Sequence, residues 1–122
     1  MITGRVFRRR PTVLLTVFGP NKQIDDIEVI VDTGFSGSLA LPPGDVATLG
    51  LPFANYYDAG LADGSRLRIA VHEATIIWHG SRRTVLVMAT GKRALVGMSL
   101  IYGSRLILDG QDGGAVTLEE LP

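Results

Sequence analysis

The chain has 122 residues, a normal length for one domain, and we expect residues 1–122 to form a single domain. Its hydrophobic fraction of 46% is sufficient for one core. The 12 basic residues balance the 12 acidic ones, which argues against a nucleic acid or another partner held by phosphate charge. The chain has no cysteine, and this excludes disulfides, thiolate metal sites and cysteine nucleophiles.

Other features narrow the class of protein further. His72 and His79 are the only histidines, lack metal-ligand spacing and are expected on the surface, so no metal site is predicted. No apolar run approaches the roughly 20 residues that span a bilayer, and no signal peptide is recognisable. Arg8, Arg9 and Arg10 are interpreted as a solvated strand edge or tail. A cytoplasmic protein without membrane contact is therefore expected.

In chain order, the sequence predicts mostly short strands separated by turns. Gly19-Pro20 ends the first strand, Pro42-Pro43 ends the third, and Asp63-Gly64 is a strong hairpin signal because both residues tolerate positive φ. The predicted strands are Thr12 to Phe18, Ile27 to Val31, Leu39 to Leu41, Tyr56 to Leu61, Arg66 to Val71, Thr75 to Trp78, Thr84 to Met88, Arg105 to Leu108 and Ala115 to Leu118.

Two short helices are predicted between these strands. One covers Asp45 to Leu49, and the other covers Met98 to Tyr102 and is closed by Gly103. Trp78 is expected in the core or half-buried. The spacing of strands and turns predicts an all-β sandwich or barrel.

The segment Val29-Ile-Val-Asp-Thr-Gly34 is the main chemical signal. An apolar strand runs into Asp32, and Asp is a poor strand residue, so its place at the strand end needs a reason. An ordinary turn is one reading, because Asp-Thr-Gly suits turns. A catalytic carboxylate is the other reading, and the tripeptide alone leaves both open.

The wider context resembles the retroviral-type (retropepsin-like) aspartic peptidases. Asp32-Thr33-Gly34 is followed by a hairpin with Asp63-Gly64-Ser65 at its tip, and then by Leu95-Val96-Gly97 and a short helix. This order of three elements is the pattern of that family and covers about Ile24 to Leu118. The resemblance implies an all-β acid-protease barrel lobe with one or two short helices.

The resemblance also implies the roles of these residues. Asp32 is the expected catalytic carboxylate, with Thr33 and Gly34 supporting its loop, and a water between two such carboxylates attacks the peptide bond. Asp63, Gly64 and Ser65 are the expected tip of a substrate-binding flap. Leu95, Val96 and Gly97 are expected to pack behind the active-site loop. Neither a metal nor another cofactor is expected.

Only one Asp-Thr-Gly occurs in the chain, whereas a two-lobed peptidase would need about twice the length and a second copy. A two-fold homodimer would place two Asp32 side chains near one axis, and Ala115 to Leu118 is the predicted interface strand. The expected substrate is a peptide or protein.

Phe35 departs from the retroviral pattern, which has a small residue there, and its ring is predicted either to narrow the cleft or to repack its floor. Bacterial and archaeal single-lobe members of the family often carry Asp-Thr-Gly-Phe, so the bacterial or archaeal branch is favoured. The alternative function is a non-catalytic module of the same fold that dimerises or binds peptides, since Asp32 would look the same in both.

Overall fold

The computed structural model describes residues 1–122 and contains ten strands and two short helices. The strands are β1 (Ile2–Phe7), β2 (Arg10–Phe18), β3 (Ile24–Val31), β4 (Leu39–Leu41), β5 (Phe53–Gly60), β6 (Arg66–Trp78), β7 (Ser81–Ala89), β8 (Leu95–Val96), β9 (Ser104–Leu108) and β10 (Ala115–Glu120). The helices are α1 (Pro43–Thr48) and α2 (Met98–Ile101). The prediction of an all-β protein with one or two short helices is confirmed.

Six of the strands form a closed ring in the order β6-β7-β4-β8-β3-β2. The ring closes because β2 also pairs with β6, through Val17 opposite Ile76 and Phe18 opposite Thr75. Two of the pairings are parallel, β3 with β8 and β4 with β7. This ring is the barrel that the sequence predicted.

Four strands lie outside the ring. β5 pairs only with β6 and forms a long hairpin, while β1, β10 and β9 extend the sheet in that order from β2. The sheet therefore has two free edges, β5 at one end and β9 at the other.

The core is built mainly from the ring strands, whose side chains alternate between the core and solvent, and β1, β10 and the two helices add to it. On β2, Val13, Leu15 and Val17 are buried, whereas Leu14 between them is 67% exposed. They belong to one cluster of 22 buried residues. Trp78 is buried in that cluster, as predicted.

Four local features differ from the sequence prediction. The N-terminal strand β1 was not predicted. Arg8 and Arg9 form the turn from β1 into β2, with φ of 50° and 64°. The sequence has no glycine at this turn to mark it. The strands predicted at Arg66 to Val71 and at Thr75 to Trp78 are one continuous strand, β6. The interface prediction for Ala115 to Leu118 is wrong for backbone pairing, because β10 is already bonded on both edges, to β1 and to β9.

The fourth difference concerns the histidines, because neither ring is a freely solvated surface group. The Nδ1 of His72 donates to the carbonyl of Leu51 at 2.9 Å, and His79 Nε2 lies 2.7 Å from the hydroxyl of Ser104. The His79 ring also packs edge-on against Trp78, and its Nδ1 is buried without a partner. The rings therefore join separate parts of the chain.

Candidate active site

Asp32 lies directly after β3, where the parallel pairing of β3 with β8 ends. Its backbone N–H donates to the carbonyl of Val96 at 2.9 Å, so β8 sets the position of the residue. One carboxylate oxygen, Oδ1, accepts the N–H of Gly34 at 2.9 Å. The side chain is half-buried and is thus held in one orientation at the end of the strand.

The loop from Asp32 to Ser38 is fixed by its contacts with the start of α2. Backbone carbonyls of the loop accept from the N–H groups of Gly97, Met98 and Ser99 at 3.0, 2.7 and 3.2 Å. The Ser99 hydroxyl donates to the carbonyl of Ser36 at 2.6 Å. Because these hydrogen bonds attach the loop to one short segment, residues 97–99, the loop that carries the Asp32 carboxylate is firmly supported.

Gly97 permits this close approach. A Cβ added there would overlap the carbonyl oxygen of Gly37 and would lie 2.6 Å from both the Phe35 carbonyl oxygen and its ring. Backbone atoms cannot yield as a side chain can, so glycine is needed at this position for a steric reason.

A cavity of about 480 Å³ adjoins the loop on the side of the β5–β6 hairpin. The loop contributes Gly34 to Ser38, and the hairpin and the neighbouring strand contribute most of the rest: Asn55, Tyr57, Val71, Leu86, Met88 and Ser99. An open cleft between a fixed carboxylate loop and a long hairpin can hold an extended peptide.

Two solved structures are similar to this arrangement. One is the protease of EIAV in complex with the inhibitor HBY-793, with a TM-score of 0.55, 20% identity, and coverage of 80% of this chain and 90% of that chain. The other is a retropepsin-like aspartic protease from Rickettsia conorii, with a TM-score of 0.54, 19% identity, and coverage of 98% of this chain and 94% of that chain. The protein has the retropepsin-like fold. No family model and no curated protein matches the sequence.

The retropepsin-like fold brings some of the predicted site residues together and keeps others apart. Asp32, Gly34, Val96 and Gly97 are joined by direct contacts or by the hydrogen bonds of one loop. Thr33 is exposed, and its hydroxyl makes no hydrogen bond within the chain. No group of three or more His, Cys, Asp or Glu side chains is placed to hold a metal ion.

The hairpin tip, Leu61 to Ser65, lies at the far end of β5 and β6. Gly64 has a φ of 85°, and Asp63 Oδ1 accepts both the hydroxyl and the N–H of Ser65. These two hydrogen bonds, the hydroxyl's first, lower the pKa of the exposed Asp63 carboxyl. The tip therefore carries a carboxylate that resists protonation.

The ring of Phe35 occupies the space that two glycines leave open. A Cβ on Gly37 would lie 2.6 Å from the ring's Cζ, and one on Gly97 would lie 2.6 Å from its Cδ2. The half-buried ring also lines the cavity. Both outcomes expected for Phe35, a narrowed cleft and a repacked floor, therefore stay predictions.

Several residues of this cavity carry no sequence signal. Asn55, Leu86 and Met88 reach it only because β5, β6 and β7 lie side by side, and nothing in the sequence near them marks a site. Ser99 is different, since a hydroxyl at the start of the helix after Gly97 could have been predicted to bond the nearby loop.

Proposed function

We propose that this protein is a homodimeric aspartic endopeptidase, in which Asp32 of each copy supplies one carboxyl group of the catalytic pair. The observation that supports it best is the fixed position of Asp32 in a retropepsin-like fold, at the end of a barrel strand and at the start of the loop that lines an open cleft. The two similar solved structures are proteases. The reaction that we propose for this protein is likewise hydrolysis of a peptide or protein substrate.

The chemistry follows from the proximity of two like groups. Two carboxyl groups about 3 Å apart cannot both ionise, so they share one proton. The ionised group takes a proton from the water between them as it attacks the peptide carbonyl carbon, and the other group donates a proton to the carbonyl oxygen. Protonation of the leaving nitrogen then completes the cleavage, without a metal or an organic cofactor.

The supporting residues take roles that match their contacts. Gly34 holds Oδ1 of Asp32 with its N–H, which leaves Oδ2 for the water and the second carboxyl group. Leu95 and Val96 place the loop from behind, and Gly97 lets the loop and α2 pack closely. Thr33 is free to contact the partner copy, and Asp63, Gly64 and Ser65 form the tip of a flap over the substrate.

The test is digestion of a peptide library at several pH values, read by mass spectrometry, with wild type, Asp32→Asn and Asp25→Asn. Asp25 is a matched control, since it lies on β3 and its exposed side chain makes no hydrogen bond. We expect Asp32→Asn to lose about 1,000-fold or more in kcat/KM, on the order of 4 kcal/mol, because Asn keeps the size but cannot ionise or share a proton as a carboxyl group does. Asp25→Asn should keep wild-type activity.

Near wild-type turnover by Asp32→Asn would contradict the proposal. The alternative, a non-catalytic peptide-binding or dimerising module, predicts a different result: wild type binds peptides from the library and cleaves none at any pH.

A further inference from the structure

We propose that a basic cavity beside the strand that carries Asp32 binds acidic side chains, so that this protein selects peptides with Asp or Glu close to the cleaved bond. The inference rests on the proposed function and specifies the substrate class of that site. It goes beyond that function because nothing in the chemistry of a carboxyl pair requires a charged substrate.

The basic cavity has a volume of about 290 Å³ and is separate from the cleft beneath the β5–β6 hairpin. The β1–β2 hairpin, β3 and the loop between β7 and β8 supply most of its lining. The lining includes four cations, Arg8, Arg10, Lys92 and Arg93. It also includes two carboxylates, those of Glu28 and Asp45, so positive charge is in excess.

None of these four cations is neutralised within the chain. The two ion pairs of the structure, Asp58–Arg68 and Arg105–Glu119, lie elsewhere. The one arginine side chain that donates a hydrogen bond is that of Arg5, which does not line the basic cavity. In a chain whose charges balance overall, unpaired cations gathered around one cavity favour the binding of a negatively charged group.

The two arginines of the basic cavity are held there at some cost. Arg10 is half-buried without a carboxylate partner, and partial withdrawal of a charge from water is unfavourable until a counter-ion compensates it. Arg8 has a φ of 50° in a tight turn where asparagine or glycine is usual. Its guanidinium lies 5.3 Å from the centre of the Phe7 ring, a contact that leaves its N–H groups free to bind a ligand.

The basic cavity adjoins the strand that ends at Asp32. Ile30 lines it and lies two residues before Asp32, and alternate residues of a strand face the same side. The N–H groups of both residues donate to the β8 segment at 2.9 Å, so the ladder runs unbroken between them. At about 3.3 Å per residue, the cavity begins about 7 Å from Asp32. An extended peptide bound over Asp32 therefore reaches it within about three residues of the cleaved bond.

The lining fits an acidic side chain. Guanidinium groups bind carboxylates through two parallel hydrogen bonds, and Arg10 and Arg93 present such groups. Ile27, Ile30 and Ala94 add an apolar wall for the methylene groups of the same side chain. A nucleic acid requires a row of cations along its backbone, whereas here two carboxylates interrupt the cations and would repel successive phosphates.

The cleft and the basic cavity differ in chemistry. Residues that follow Asp32 line the cleft, and none of the cleft residues is charged. Residues that precede Asp32 on β3 line the basic cavity. The preference for acidic side chains should therefore be confined to the substrate positions that meet the basic cavity, and the other positions should accept uncharged residues.

The first test measures kcat/KM for matched peptides that carry Glu, Gln or Lys at successive positions on both sides of the cleaved bond. At one or more of these positions wild type should prefer Glu to Gln by about tenfold, the size expected of a charge-assisted hydrogen bond. Lys92→Glu with Arg93→Glu should lower the rate for the Glu peptide by about tenfold or more and raise it for the Lys peptide. The Gln peptide leaves the basic cavity to water, and its rate should change less than about threefold.

A matched control separates the cavity from the net charge of the protein. Lys22→Glu with Arg83→Glu makes the same change in charge at exposed residues that line neither the cleft nor the basic cavity. This double variant should keep the wild-type preference for Glu. An equal loss of preference in both double variants would show that overall charge, and not the basic cavity, selects the substrate.

The second test needs no cleavage. Fluorescence anisotropy measures the binding of a labelled Glu-containing peptide to Asp32→Asn, with inactive protein as the host. Arg10→Gln in that background should raise the dissociation constant about tenfold, and Arg10→Lys, which keeps the charge, should restore part of the affinity. High salt should weaken the Glu peptide more than the Gln peptide. If a single-stranded oligonucleotide displaces the peptide at a lower concentration than unlabelled peptide does, a nucleic acid is the partner and the inference is wrong.

The outcomes separate this inference from the proposed function. If wild type cleaves peptides without preference for Glu, and Lys92→Glu with Arg93→Glu changes nothing, the basic cavity has no role and the peptidase stands. If no peptide is cleaved but Asp32→Asn binds the Glu peptide through Arg10, the acidic ligand stands and the peptidase fails. The absence of both cleavage and binding would overturn both.

Discussion

At the residue scale, the Phe35 ring packs against two glycines, Gly37 and Gly97. The ring lies against the positions where Gly37 and Gly97 lack a side chain. Gly37 is restricted only by the end of the Phe35 side chain, whereas Gly97 is restricted by backbone as well. The two glycines should therefore respond differently to the same added methyl group.

Gly37→Ala should cost about 1 kcal/mol and Gly97→Ala about 3 kcal/mol, measured by urea denaturation. Adding Phe35→Ala should remove most of the cost at Gly37 and little of the cost at Gly97, because only the first clash is with the ring alone. Equal costs in both backgrounds would show that the ring does not occupy this space.

Phe35→Ala also tests the cleft itself. The half-buried ring should contribute about 2 kcal/mol to stability, roughly half of a fully buried Phe. A gain in peptide hydrolysis would show that the ring crowds substrate, and a shifted pH profile would show that it shields the carboxyl pair from water. If the variant equals wild type in stability and in rate, the ring has neither role.

Asp63 and Ser65 give a prediction for acid conditions. Hydrogen bonds from Ser65 lower the Asp63 pKa below its ordinary 3.8, so the ionised turn is favoured above that value. This contribution disappears as the pH falls through the lowered pKa. An NMR titration should therefore show the Asp63 pKa moving back up in Ser65→Ala, while Ser65→Thr keeps it low. Identical titration in all three proteins would contradict the role of the hydroxyl.

At the scale of elements, the β5–β6 hairpin is the part of the molecule suited to move. All of its tip residues, 61–65, are exposed, and β5 has no partner but β6. Few buried contacts imply a low local opening free energy. A hairpin of this kind can open for a peptide and close over it.

Amide exchange from Tyr56 to Val71 should slow when a peptide-like inhibitor binds at Asp32. The turn at Arg8 and Arg9 is the internal control and should exchange at an unchanged rate. Unchanged exchange in the hairpin, with the inhibitor demonstrably bound, would contradict its assignment as a flap.

The sequence predicted elements well wherever a local signal exists. Asp63-Gly64 and Gly103 predicted a hairpin and a helix end correctly, and both glycines adopt the positive φ that glycine permits, whereas Asp63 does not. β1 was missed because its turn uses Arg8 and Arg9, which adopt positive φ without a glycine. The break expected within β6 was wrong because His72 and Glu73 are tolerated in a strand that is long and partly exposed.

For the molecule as a whole, an active site made from two copies predicts a concentration dependence. On dilution through the dimer dissociation constant, activity per mole of chain should fall, whereas a monomeric enzyme would show a constant value. Sedimentation at the same concentrations should show the monomer appearing in step with the loss.

The proposed carboxyl pair with its shared proton predicts a bell-shaped dependence of kcat/KM on pH. On the acid side both carboxyl groups are protonated and no base remains, and on the alkaline side both are ionised and no acid remains. A statine-type peptide, whose hydroxyl replaces the bound water, should inhibit in the active range. A rate that changes on one side only, together with resistance to the inhibitor, would argue against the pair.

The site was only partly predictable at this scale. Asp32, Gly34 and Gly97 stand in short motifs, but Asn55, Leu86 and Met88 enter the cavity through strand pairing across the chain. The prediction of a free pairing edge at Ala115 to Leu118 was wrong for a related reason. A sequence shows that β9 and β10 are strands, whereas only the topology shows which of them has an unpaired edge.

The pairing of β3 with β8 joins residues far apart in the chain, Ile30 with Leu95 and Val31 with Val96. During synthesis Asp32 leaves the ribosome long before Val96 and Ser99, which hold its loop. The incomplete chain therefore carries the aspartate without its support and cannot assemble the pair. A peptidase of the proposed kind would therefore be inert while it is being translated and would gain activity only once the last quarter of the chain has folded against the Asp32 loop.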